Sequence, residues 1–225
     1  MKLRDFELCV SNFDKDNTEF NIQVRCLLAH FFKFYKKQDT TDVKKIVIEL
    51  EPHGADFYSN SKHPVPEFEN TLGIVISRYE FDFPKYWGLP EIERGKYALS
   101  AFVSGIKDVC EKTGIETTHF DEIADQIASD DYLYQGYWKK KALANPSKDR
   151  KANIFFKYLT DKVEIFAEVH SETDEPKLTL IEEISPPYLY EFDNAFGKLY
   201  WESDTDLVFE HKTGNKKIKL DTNSI

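Results

Sequence analysis

Glu51, His53, Asp56 and His63 lie within thirteen residues and combine carboxylate with imidazole, the donor types that hold zinc or another divalent ion. Their spacing does not help. No two histidines stand one helical turn apart and no cysteine cluster accompanies them, so a hydrolase built on a metal in this loop is the alternative reading. Glu168 and His170 are two apart on a predicted strand, which puts them on one face, where an acid and a base would work together. An exposed charge pair accounts for them equally well. Cys26 and His30 would share a helical face, a pattern that packing explains, and His119, Asp121 and Glu122 suit a helix start for dipole reasons alone. There is no Gly-x-Ser-x-Gly elbow and no glycine-rich phosphate loop among the nine glycines. No catalytic residue is assigned, and no cofactor is expected.

Charge is more informative than chemistry. The net charge is −10, and the stretch from Asp161 to Asp193 carries ten acids against Lys162 and Lys177. On the strand from Val163 to Val169, alternation turns Val163, Ile165, Ala167 and Val169 one way and Glu164, Phe166, Glu168 and then His170 the other. With Glu182 these outward residues form a candidate surface for docking a basic protein by complementary potential. A solvated sheet face that discourages edge-to-edge pairing would have the same composition. The opposite sign gathers at Lys139, Lys140, Lys141, Lys148, Arg150 and Lys151, preceded by Tyr132, Tyr134, Tyr137 and Trp138. Rings beside cations are what single-stranded nucleic acid uses, which gives a third reading for residues 132–151. A basic loop bridging to the surrounding acids is the simpler account, and the overall negative charge makes nucleic acid an unlikely partner.

Eighteen Phe, twelve Tyr and three Trp against one Met predict a core of rigid rings, which favours sheets. Three cysteines in no metal-binding spacing, and a start without the apolar run of a signal peptide, predict a soluble cytoplasmic protein. No segment approaches the apolar length of a membrane span. Nothing in the sequence points to an oligomeric state.

The elements that must position these residues are legible in outline. The clearest is a helix over about 90–113, with Pro90 in its first turn, Glu91 and Glu93 at its positive end, and Gly114 to close it. Ile92, Leu99, Phe102, Val103, Ile106, Val109 and Cys110 form its apolar face. Strands are predicted at Lys2 to Val10, Ile46 to Leu50 and Leu72 to Phe83, with a long loop over Glu51 to Asn70 and a second helix over about Phe120 to Ala128 capped by Thr118. Phe20 to Lys37 fits helical spacing and strand alternation alike, and the helical reading is preferred. Beyond residue 151 the period becomes two, with short strands at Ile154 to Tyr158, Val163 to Val169, Leu178 to Ile184, Tyr188 to Phe192, Lys198 to Trp201, Leu207 to Glu210 and Lys217 to Leu220. The expected fold is α+β: a mixed α/β portion over 1–130, a basic aromatic connector over 131–151 and an antiparallel β-meander over 152–225. The expected function is a non-catalytic acidic binding protein, of the inhibitor or immunity type, that masks a basic partner.

Overall fold

The first strand-like run breaks at Arg4 into β1 (Lys2–Leu3) and β2 (Asp5–Cys9), and the two halves serve different sheets. The structure, a computed structural model, describes residues 1–10, 15–52, 68–139, 141–171, 175–187, 192 and 194–223, with backbone alone at 15–17. It divides into two units, Met1–Leu133 and Tyr134–Ile225.

In the first unit β2 is followed by α1 (Lys15–Phe34), β3 (Gln38–Asp39), β4 (Lys45–Pro52), β5 (Phe68–Thr71), β6 (Ile74–Phe81), α2 (Phe83–Gly88), α3 (Glu91–Thr113) and α4 (Thr118–Ser129). β1 pairs antiparallel with β3. The main sheet runs β2-β4-β6-β5, parallel between β2, β4 and β6 and antiparallel between β6 and β5. That topology settles the ambiguous stretch, because parallel neighbours need a long crossover and a helix supplies it. In α1 the buried positions Phe20, Gln23, Val24, Cys26, Leu27, His30 and Phe31 follow the helical period.

The long loop expected over Glu51 to Asn70 is shorter than predicted at both ends, since β4 reaches Pro52 and Phe68–Thr71 is a strand. Leu72 and Gly73, both at positive φ (54° and 85°), make the two-residue turn that returns β5 onto β6. Two details of the main helix differ from expectation. Pro90 is its N-cap, one step outside the first turn, and Ile92 is exposed because the buried face begins only at Ala98. Gly114 closes the helix in the left-handed conformation, as read from the sequence. The corner before it, Phe83–Gly88, is itself helical, capped by the Asp82 side chain, which accepts from the Lys85 amide.

One core joins these elements. Phe6 on β2 lies 5.2 Å from Phe31, 4.7 Å from Tyr35, 6.4 Å from Phe102 and 5.9 Å from Phe120, so α1, α3 and α4 all meet one strand residue. α3 approaches β4 where it has no side chain: a Cβ at Gly105 would sit 2.9 Å from two carbons of Ile48.

The second unit contains β7 (Tyr134–Tyr137), β8 (Leu143–Ala144), β9 (Arg150–Tyr158), β10 (Val163–Ser171), β11 (Lys177–Ile184), β12 (Lys198–Trp201), β13 (Asp206–Glu210) and β14 (Lys217–Asp221), and every pairing is antiparallel. They form a five-stranded sheet ordered β11-β10-β9-β7, with β8 also on β9, and a three-stranded sheet ordered β12-β13-β14. Much of the expected connector thus belongs to the first of these sheets, because Tyr134 and Tyr137 find partners in Tyr158 and Phe155. The strand predicted from Tyr188 lies outside the described residues except for Phe192. Ala152, Ala167 and Val169 pack with Leu207, Leu199, Trp201 and Leu220, so the inner face of one sheet is covered by the other. Among the described residues no helix is long and apolar enough to cross a membrane.

Two outcomes test this packing. Gly105→Val should lower stability by about 1–3 kcal/mol through overpacking, and combining it with Ile48→Ala should cost less than the two changes summed, as read by denaturant unfolding. The second concerns pH. Burial holds His30 below its ordinary value of 6.5 although its Nε2 lies 2.9 Å from Asp130, and burial lowers His119 likewise. The bonds from His30 and then Lys33 hold Asp130 below 3.8. The unfolded chain therefore takes up these protons first. Stability of the first unit should be insensitive to these groups above about pH 6.5, fall as pH drops below it, and fall further below 3.8. Hydrogen exchange in α1 would read this, and His30→Gln should flatten the upper step.

Candidate functional site

The two central strands, β9 and β10, stay in register over nine pairs, from Val163↔Tyr158 to Ser171↔Arg150. Alternation then sorts their residues without ambiguity. Ala152, Ile154, Phe156 and Tyr158 on β9, with Val163, Ile165, Ala167 and Val169 on β10, are buried on the inner face. Lys151, Asn153, Phe155 and Lys157, with Glu164, Phe166, Glu168 and His170, lie on the outer one.

Neighbouring strands extend that outer face. Tyr137 on β7 is in register with Phe155, Phe155 with Phe166, and Phe166 with Leu180 on β11. An apolar and aromatic row therefore crosses four strands, with ring centroids 5.5 Å apart at Tyr137–Phe155 and 6.4 Å at Phe155–Phe166. Tyr137 and Leu180 are each 51% exposed and Leu178, in register with Glu168, is 47% exposed. Lys157 Nζ stands 5.4 Å from the centroid of the Phe166 ring.

The polar residues around the row play unequal parts. Glu168 is nearly buried, and the Tyr137 hydroxyl donates to its two oxygens at 2.8 and 3.1 Å. That bond raises the Tyr137 pKa first and burial second. His170 Nδ1 lies 3.9 Å from Glu168 Oε1, beyond hydrogen-bond reach, so the two do not form the acid–base couple their spacing allows. Glu164 and Glu183 are opposite each other, and Lys162 bridges them at 2.8 and 3.0 Å. Glu182 belongs elsewhere. A register shift between Ile165 and Phe166 turns it away from Leu180, and its carboxylate meets His211 Nε2 at 2.5 Å and Lys216 Nζ at 2.8 Å. The surface expected over Glu164, Phe166, Glu168, His170 and Glu182 thus keeps its first four members. It gains Tyr137, Phe155, Leu178, Leu180 and Glu183, which only the strand register could supply.

His53, Asp56 and His63 lie outside the described residues. Glu51 sits on β4, its Oε1 3.8 Å from Arg78 Nε, while Glu49 meets the same nitrogen at 2.9 Å. Burial pushes the Glu49 carboxyl above its usual range, partly offset by Arg78, and pushes the neighbouring Cys9 thiol up to about 12, which makes it a poor nucleophile. Among the described residues no group of three or more His, Cys, Asp or Glu could hold a metal ion. His119 accepts at Nδ1 from Gln38 Nε2 at 3.0 Å and lines a groove of about 610 Å³ with Lys36, Lys37, Glu116 and Glu122. The rings of the basic segment do not form one stacking platform: Tyr134 packs on Phe156, Tyr137 faces outward, and Trp138 stacks on Phe196 at 4.3 Å.

Acidity is also distributed differently from what the stretch at 161–193 suggests. Through Leu133 there are 24 acids and 16 cations, and beyond it 16 and 14, so the second unit is nearly neutral. Comparison with protein-family models, with curated proteins and with solved structures finds no match to the chain.

The Tyr137–Glu168 bond has a measurable weight. Tyr137→Phe should cost about 1–2 kcal/mol, because it leaves a mostly buried carboxylate short of a donor. Glu168→Leu in that background should then cost less than it does alone, in a double-mutant cycle read by thermal unfolding.

Proposed function

We propose that the protein works by binding and not by catalysis, masking a protein partner with the outer face of its five-stranded sheet. The observation that carries this reading is the row Tyr137–Phe155–Phe166–Leu180, apolar across four strands and half exposed at both ends. A contiguous apolar patch rimmed by charge is the form that macromolecular contact surfaces take. Its rim supports a partner of particular composition. Lys162 bridges Glu164 and Glu183, and Lys157 stands in register with Glu164, so both signs line this side of the patch. Glu183, the more exposed of the two acids, is the one a basic side chain of the partner would meet. The partner's surface is thus apolar at its centre and basic at one side. An inhibitor or immunity-type protein acting on a basic target fits this description.

Placing a photoreactive amino acid at Leu180, at Phe155 or at the exposed control Ile92 tests the reading in the cells that make the protein. A product of one common mass from Leu180 and Phe155, absent from Ile92 and lost with Phe166→Asp, is expected. With that partner in hand, Glu164→Lys combined with Glu183→Lys should slow association by about tenfold at low salt and much less at high salt. Equal products from Ile92, or none from the sheet face, would overturn the proposal. So would a product of only twice the chain's 26.3 kDa, which would assign the face to a second copy.

A further inference from the structure

On one side β9 is paired first by β7, as far as Tyr137↔Phe155, and then by β8 from Leu143↔Ala152. Between these two partners a pocket of about 90 Å³ opens into the space between the sheets of the second unit. Its deepest surface is Ala152, Ile154 and Phe209, all buried, and its walls are Leu199 with Trp138 and Leu143, which are 40% and 39% exposed. Asn153 also borders it, but its side-chain amide is engaged. Nδ2 donates to the Lys139 carbonyl and Oδ1 accepts from the Ile154 amide, each at 2.9 Å. Lys139, Lys141 and Lys198 complete the lining, and all three are exposed. Elsewhere in this unit Lys162, Lys216, Lys217 and Lys219 each meet a carboxylate, whereas these three form no ion pair among the described residues. Lys198 has Glu210 opposite it in the ladder, but that carboxylate is held by Lys217 at 3.1 Å.

From this we infer that the pocket takes one aliphatic side chain of an acidic protein segment, with the lysines meeting carboxylates on either side of it. Volume selects the inserted group. An apolar cavity of about 150 Å³ is what takes up a benzene ring, so one of 90 Å³ is too small for an aromatic side chain or a nucleobase. At roughly 30 Å³ per water-sized group it holds about three, which is the size of a valine or leucine side chain. The lining agrees, since carbon surrounds the cavity and the amide of Asn153 has no free edge to offer a base. Charge selects the flanks. Three unpaired ammonium groups around an apolar hole repel a basic segment and favour an acidic one, although the chain as a whole is at −10. Lysine supplies charge without the planar fork of arginine, so the flanking acids are chosen by sign and not by fixed geometry. An apolar anchor seated in a pocket with charge at its rim is how short segments are held. The pocket shares no residue with the outer-face row and calls for the opposite charge, so either reading can fail alone.

The test uses the full chain with two end-blocked peptides, Glu-Asp-Leu-Glu-Asp and Glu-Asp-Ala-Glu-Asp, and a single-stranded oligothymidylate. Binding is read from the indole N–H resonances of Trp138, which lines the pocket, and of Trp201, whose Nε1 donates to the Leu143 carbonyl at 3.0 Å. The leucine peptide should shift both at millimolar concentration or below and leave Trp87, in the first unit, unmoved. The alanine peptide should bind about tenfold more weakly, since its methyl group leaves most of the cavity unfilled. Lys141→Glu combined with Lys198→Glu should weaken binding of the leucine peptide about tenfold at low salt and much less at high salt. Both positions are exposed, and an unshifted Trp201 resonance in the free variant shows that the fold is intact. No shift with the leucine peptide, equal affinity for the two peptides, or no effect of the charge reversal would overturn the inference. So would tighter binding of the oligothymidylate than of the leucine peptide, which would assign these lysines to nucleic acid.

Discussion

The nine-pair register between β9 and β10 is the constraint on which the second unit depends. A strand offers two faces at a period of two residues, so a slip of one residue would bring Glu164, Glu168 and Lys157 into the core and turn Ile165, Ala167 and Phe156 to solvent. Inner-face packing against Leu207, Leu199 and Trp201 makes that slip prohibitive. The outer face is thereby determined as well, although almost nothing on it contributes to the core. Its apolar row is a by-product of register only in position. In composition it departs from what a solvated face needs, and that departure is what makes the face notable.

The first unit solves a different problem. Its parallel strands bury one face under α1, α3 and α4, and Phe6 is the residue through which all three helices are coupled to the sheet. The helices also carry much of the molecule's acidity, at Glu91, Glu93, Asp108, Glu111, Asp121, Glu122 and Asp125. Several of these acids are already satisfied within the fold, as Asp121 is by Lys107 and Asp108 by Lys112. Net charge alone is therefore a poor locator of an interaction surface in this chain. The surface with the clearest apolar organisation lies in the unit whose net charge is close to zero.

How much of this was legible in the sequence depended on whether the determining contacts were local. The main helix could be read from its own apolar stripe and from Gly114, and six of the strands beyond residue 151 from alternation and turn residues. Glu164, Phe166, Glu168 and His170 could be placed on one face for the same reason. Glu182 could not, because simple alternation from Leu178 and Leu180 puts it beside them, and only the shift opposite Phe166 turns it toward His211. Tyr137 and Phe155 belong to separate segments of the sequence, and their adjacency exists only once β7 pairs with β9. β5 was hidden in a loop because Phe-Glu-Asn-Thr has no alternation of its own and owes its extended form to β6. The charge pattern of residues 161–193 was visible, whereas the cations that offset it, Lys212, Lys216, Lys217 and Lys219 among them, lie farther along the chain.

The parallel pairing of β2, β4 and β6 also determines the order in which the chain can acquire structure. Asp5 meets Lys45 and Lys45 meets Ile74, so each contact closes a long stretch of chain before any sheet energy is gained, and α1 must be in place for the first of them. The second unit joins strands that follow each other within a few residues, as Tyr158 and Val163 do. Pairs of that kind form quickly and need no distant partner. During synthesis the slow half emerges first and the fast half last, so the first unit spends the longer time with its strand edges open. The helical crossover from β2 to β4 forms locally and fast, so the time those edges stay exposed is set by the wait for β4 and then β6 to emerge and pair.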